Sequence, residues 1–219
     1  MNSIGNAIPA TLFLLYVTYV IDAPQHAGPL LFLYFICAAV AVPFWIRLTH
    51  RRDKHLVWQA AVLLACVFFM WTPFLGADDL LWFYLIVAAT GFATGADLVI
   101  PVAIKGDLIE WDEHHNGLRR PGLFFAAWGT ATKLAFALAI GIAFPILELA
   151  GFSTGATTDA SNISDRADNG VLVLAVMYGV PSLAFKLAAV LAMRNYPVTR
   201  DVHEQLRRGI TGSAPDPVA

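Results

Sequence analysis

Charge is what this sequence has least of. Only 14% of its 219 residues are Asp, Glu, Lys or Arg, against 58% hydrophobic, whereas a soluble domain carries about 25% charged residues. So few charges cannot clothe a water-exposed globule, which disfavours a soluble enzyme domain, and the apolar content excludes intrinsic disorder. Cysteine is scarce: Cys37 and Cys66 each stand alone in an apolar run, so neither a disulfide scaffold nor a Cys-based metal site is indicated. There is no excess of basic residues either, and a net charge of -2 argues against nucleic acid as a partner. The first residues lack a basic region, and the apolar stretch after them is too long and too polar-studded for a cleaved signal. No enzymatic activity, cofactor or metal site is expected. A mean hydropathy of +0.64 points instead to an integral membrane protein.

A helix needs roughly 20 mostly apolar residues to cross the hydrocarbon core. Six segments are predicted to do so: Ile4–Ile21, Pro29–Ile46, Val57–Leu75, Leu80–Ile104, Gly122–Ala150 and Val171–Met193. The connecting segments differ sharply in charge. Those on one side, with the tail, hold Arg47, Arg51, Arg52, Lys54, Lys105, Arg119, Arg120, Arg194, Arg200, Arg207 and Arg208. The other side holds only Arg166. Cationic loops resist translocation, so both termini are expected in the cytoplasm. Residues 1–198 are read as one six-helix membrane domain, and 199–219 as a charged, then Pro/Ala-rich, disordered cytoplasmic tail.

Some short motifs have bland explanations. Gly151-Phe-Ser153-Thr-Gly155 matches the nucleophile-elbow pattern, which requires a strand–turn–helix context and a histidine base. Here it lies at a helix exit, and the last span contains no His, so it is read as loop rather than as part of a six-span protease. Asn162-Ile-Ser164 is a glycosylation sequon with meaning only in a eukaryotic secretory route. His114-His115 lacks a third ligand at helical spacing. Gly91 and Gly95 are four apart and let another helix approach closely within the bundle. Pro181 removes a backbone hydrogen bond from the last span.

The charges inside spans are more informative, because one at the bilayer centre costs roughly 2.5–3.5 kcal/mol and normally faces protein or water. Lys133 lies roughly 16 Å and Asp97 roughly 10 Å from the cytoplasmic ends of their helices at 1.5 Å per residue. They form a pair if those helices face each other. Lys133 is read as lining a polar cavity, with Asp97 as its counter-ion, and Lys186 as snorkelling to the inner surface. Between the fourth and fifth spans, Asp107, Glu110, Asp112 and Glu113 are followed by Arg119 and Arg120. Arginine pairs bidentately with carboxylates, and pairs of this kind at helix ends can hold a transporter closed on one side. These six residues are read as a cytoplasmic electrostatic gate.

The same residues carry a family resemblance. Asp107, Glu110-Trp111-Asp112-Glu113, Gly117, Arg119-Arg120, Gly122, Phe124 and Lys133 follow in the order and spacing of the glycoside–pentoside–hexuronide:cation symporters. These form the melibiose-permease-like branch of the major facilitator superfamily. Gly95 to Phe152 resembles the tenth and eleventh helices of that family, and Arg51-Arg52-Asp53-Lys54 its basic turn between the eighth and ninth. The resemblance implies an all-α fold of six transmembrane helices, corresponding to the second half of a twelve-helix transporter. It further implies alternating access in a bacterial inner membrane, a small sugar substrate, a co-transported Na+ or H+, and a second six-helix half as a separate chain or a homodimer partner. The family's cation-binding acids lie in the first half, so no residue here is assigned as a sodium ligand. Lys133 matches the family's lysine near the cation and sugar sites. The competing expectation is a non-transporting scaffold or remnant subunit that retains the fold; a sealed bundle with Lys133 fully paired would favour it.

Overall fold

The computed structural model describes residues 1–118, 120–150, 152 and 163–195. Among these, all regular structure is helical. Six long helices follow one another: α1 (Asn2–Tyr19), α2 (Ala27–Thr49), α3 (Lys54–Phe69), α4 (Leu80–Asn116), α5 (Pro121–Leu149) and α6 (Ile163–Ala192). Single 3-10 turns occupy Pro24–His26, Thr72–Phe74 and Met193–Asn195. Five of the six are long and apolar enough to cross a membrane. The sixth, α1, is the shortest but one at 18 residues, and Asn2, Ser3, Asn6 and Thr11 dilute its apolar run.

Two boundaries depart from expectation. α4 does not stop at Ile104 but continues for 37 residues to Asn116, about 55 Å at 1.5 Å per residue, so it outruns a hydrocarbon core of about 30 Å. The acidic segment read as a loop is therefore the projecting end of a helix. It ends at Gly117, whose φ of 67° is left-handed and whose N–H donates to the Glu113 carbonyl at 2.8 Å, the αL cap that glycine accommodates without a Cβ penalty. Pro121 then starts α5 at the first helical position, where a missing N–H costs nothing. α6 likewise begins at Ile163 rather than Val171. The Gly151–Gly155 motif (apart from Phe152), Asn162 and the tail from Tyr196 lie outside the described residues, as does Arg119.

α4 is the central post. It packs most extensively on α2 and next on α3, while α1 packs on α6 and α5. The α2–α4 contact is built on Gly91 and Gly95. A Cβ at Gly91 would sit 2.5 Å from the Tyr34 carbonyl oxygen, and one at Gly95 2.6 Å from that of Ala38 and 2.8 Å from Ala41 Cβ. The two backbones thus meet at contact distance, which is how helices associate where lipid gives no hydrophobic drive. Across the same seam Tyr34 and Thr94 share a hydroxyl hydrogen bond of 2.7 Å, and Trp45 Nε1 donates to the Phe92 carbonyl at 2.8 Å. Two apolar clusters fill the bundle. One, near the end of α1, holds Leu12, Tyr16, Phe83, Leu174 and Tyr178. The other, near the start of α3, holds Trp45, Trp58, Ile100 and Ala189.

Candidate functional site

α5 is attached along one narrow line. Its buried residues are Ala135, Ala139, Ala143 and Leu147, spaced by four and so stacked on one side. Nothing between Pro121 and Leu134 is buried. Lys133 precedes the first of these alanines by two residues, so at 100° per residue it points roughly 160° away from Ala135. It is exposed and, among the described residues, makes no hydrogen bond or ion pair. Ala126, Gly129, Thr130 and Ala137 fall within about 60° of it on the same wheel. An ammonium thus stands near the middle of a membrane-length helix, on a face that it shares with these small residues and with the exposed Phe136 and Ile140.

Asp97 is not its counter-ion. α4 and α5 barely touch, and Asp97 is directed toward α1 and α3. Asn2 Nδ2 donates to both carboxylate oxygens at 3.2 and 3.1 Å, Asn6 Nδ2 to one at 3.0 Å, and Trp58 Nε1 to the other at 2.6 Å. Lys186 does not snorkel outward either. It is 4% exposed, and its Nζ donates to Asn6 Oδ1, one amide away from the carboxylate. The signal for this network stood in the sequence: Asn2 and Asn6 are four apart and share a helix face.

The charged rim is ordered by pairs internal to the bundle. Lys54, at the start of α3, contacts both oxygens of Asp107 at 2.7 Å. Arg120 Nη2 reaches Asp112 at 3.2 Å, and Asn116 Nδ2 donates to the same carboxylate at 2.6 Å. Glu110 and Glu113 are engaged as well. Of the six gate residues, the structure thus joins Asp112 to Arg120 and gives Asp107 a partner from outside the six, Lys54 of the basic turn before α3. Lys105, expected in the connecting segment, lies within α4. Its Nζ is 4.4 Å from the ring centre of Trp128 and 4.9 Å from that of Phe125, a cation–π clamp across the α4–α5 joint. Among the described residues no group of three His, Cys, Asp or Glu could hold a metal.

A sequence profile described as MFS/sugar transport protein matches residues 1–200. The chain is 22% identical over 195 residues to the sphingosine-1-phosphate transporter MFSD2B of Xenopus tropicalis, covering 88% of this chain and 36% of that protein. It is 24% identical over 219 residues to the inner membrane symporter YicJ of Escherichia coli, covering 95% of this chain and 45% of the relative. An uncharacterized symporter of Synechocystis is 25% identical over 173 residues, 78% of this chain and 31% of that one. The chain spans less than half the length of each of these relatives.

Proposed function

The chain belongs to the MFS/sugar transport protein family, a multi-pass membrane transporter family, and on that premise we propose that it works as one half of a cation-coupled symporter. Its six helices correspond to the second half of the twelve-helix architecture, and a second six-helix body, a separate chain or another copy, covers the free face of α5. Solute and a co-transported Na+ or H+ bind between the two bodies, which rock to expose the site alternately to either side. The proposed location is a bacterial inner membrane with both termini cytoplasmic. The substrate proposed is a small sugar of the glycoside, pentoside or hexuronide class. Lys133 lines the cleft; Asp107, Glu110, Asp112, Glu113, Arg119 and Arg120 form the cytoplasmic rim that closes it.

The observation that supports this reading is the exposure of Lys133. An ammonium facing hydrocarbon costs roughly 2.5–3.5 kcal/mol, so an exposed lysine near mid-span requires water or a partner over it. A sealed scaffold would have paired it. One feature favours a second substrate. A sugar requires several hydrogen-bonding side chains, since each unmet buried hydroxyl is costly, whereas on α5 within three or so residues of Lys133 the hydroxyl side chains are Thr130 and Thr132, beside exposed Leu134 and Phe136. One cation in an apolar wall also suits an amphiphile with an anionic group, the kind of solute named for the relative from Xenopus tropicalis. In the assembled transporter, Lys133→Ala is expected to abolish gradient-driven uptake while membrane insertion is unchanged; normal uptake by that variant refutes the role. Competition of uptake by sugars or by sphingosine-1-phosphate decides between the two substrates.

A further inference from the structure

We infer that Asp97 and Lys186 act as one charge pair, the lysine buried and the carboxylate half-buried, relayed through the Asn6 amide, and that this pair positions α1 and, through α1, the α5 helix that carries Lys133. The chain of contacts is continuous. Lys186 on α6 donates to Asn6 Oδ1, and the nitrogen of the same amide donates to Asp97 on α4. The amide therefore lies head to tail between cation and anion, and each bond polarises the next. Both carboxylate oxygens accept only N–H donors, from Asn2, Asn6 and Trp58, which is the arrangement of an anion. Opposite charges one amide apart attract, the more so away from bulk water. Gly5 makes the geometry feasible: a Cβ there would sit 3.0 Å from Lys186 Cγ and 3.2 Å from the Ser182 carbonyl oxygen, so the lysine stem crosses α1 where α1 has no side chain.

The consequence follows from what each helix rests on. α5 has one broad support, α1, and touches α4 and α6 only slightly. α1 in turn packs broadly on α6 and α5 and meets α4 at its far end, where Phe13 and Tyr16 pack on Phe83. At its Asn2 end the link from α1 to α3 and α4 is this polar network. At that end its register against the central post, and hence the height and rotation of Lys133, is set by two donors, Asn2 and Asn6, on one carboxylate, while Trp58 fixes the same carboxylate to α3. These residues are positioning residues: none lies on the free face of α5.

Removing one partner of a buried pair strands the other charge, whereas replacing both by neutral groups of similar shape is often tolerated. The test is a double-mutant cycle on the full chain: Asp97→Asn, Lys186→Met and the two together. Each is made in a form lacking Cys37 and Cys66 and bearing K133C. Each single change is expected to lower the thermal midpoint by roughly 6–20 °C, and the double variant to regain more than half of that loss. Below the unfolding temperature, the alkylation rate of the cysteine at 133 should change severalfold in either single variant and return in the double. Additive losses overturn the pair, and an unmoved alkylation rate overturns the positioning role. If the single variants do not accumulate folded, a folded double variant is the expected result and its absence the refutation. Neither readout depends on transport, so the outcome is separate from that of the symporter reading.

Discussion

α4 and α5 are adjacent in sequence, joined across residues 117–120, and similarly apolar, yet they are built for different surroundings. α4 is gripped on two sides, by α2 through Gly91 and Gly95 and by α3 through Trp58 and Lys54. α5 is held by a single line of alanines, and the rest of its circumference is open. The difference shows that apolar content alone does not distinguish a helix that holds a bundle together from one that faces outward. Small residues line the seams of both; what distinguishes the helices is where the polar and charged groups sit, inside the seams in α4 and on the free face in α5.

The largest effect should come from exchanging the roles of two glycines. Gly95→Leu drives a side chain into the Ala38 carbonyl and Ala41, contacts already at 2.6 and 2.8 Å for a Cβ alone. Overpacking costs about 1–3 kcal/mol and more where backbone must move, so this variant should fail to accumulate in folded form. Gly129→Leu places the same side chain where nothing lies within 4 Å. It should fold as well as the parent, helped by better helix propensity, and lose only what depends on a second body over that face. Equal thermal midpoints for the two variants would erase the distinction between the helices.

A smaller effect is expected on α5 itself. Ala139→Leu enlarges a residue that is 2% exposed in the line against α1 and should cost about 1–3 kcal/mol. Ile140→Ala, one position on and 50% exposed, should leave the bundle's stability within about 0.5 kcal/mol. Thermal shift of the purified chain separates the two. If both destabilise alike, α5 is buried on more than one side.

Much of this was legible in the residues. The six-helix pattern follows from the length and hydropathy of the runs, and the glycine pair follows from spacing that only a close crossing requires. Where the hydrocarbon ends, the polarity of the acidic segment resembles that of a loop, but i,i+3 and i,i+4 polar spacing continues a helix into water as readily as apolar spacing does in lipid. Glu110 and Glu113 belong to the same run as Ile109 for that reason. The partner of Asp97 could not be read from depth alone. Lys133 and Lys186 both lie within spans, and the choice between them depends on which helices touch, a property of topology rather than of any local sequence. Only the Asn2–Asn6 spacing hinted that α1 carried a polar face toward the post.

The smallest effects should appear at the joint between the two helices, where two contacts of different physics can be compared. Arg120 is 44% exposed beside Asp112 at 13%, and exposed ion pairs contribute about 0–1 kcal/mol. Arg120→Ala should therefore cost less than about 1 kcal/mol and still less at high salt, which screens exposed charges. Lys105 is 9% exposed between Trp128 and Phe125, and a cation–π contact there contributes about 0.5–2 kcal/mol. Lys105→Met keeps the stem's packing and removes only the charge, so its cost should be similar or slightly larger and indifferent to salt. Thermal midpoints of both variants at low and high salt check this directly. If salt abolishes the Lys105→Met effect while sparing that of Arg120→Ala, the ammonium is solvated and the joint is held by the arginine, the reverse of what the geometry dictates.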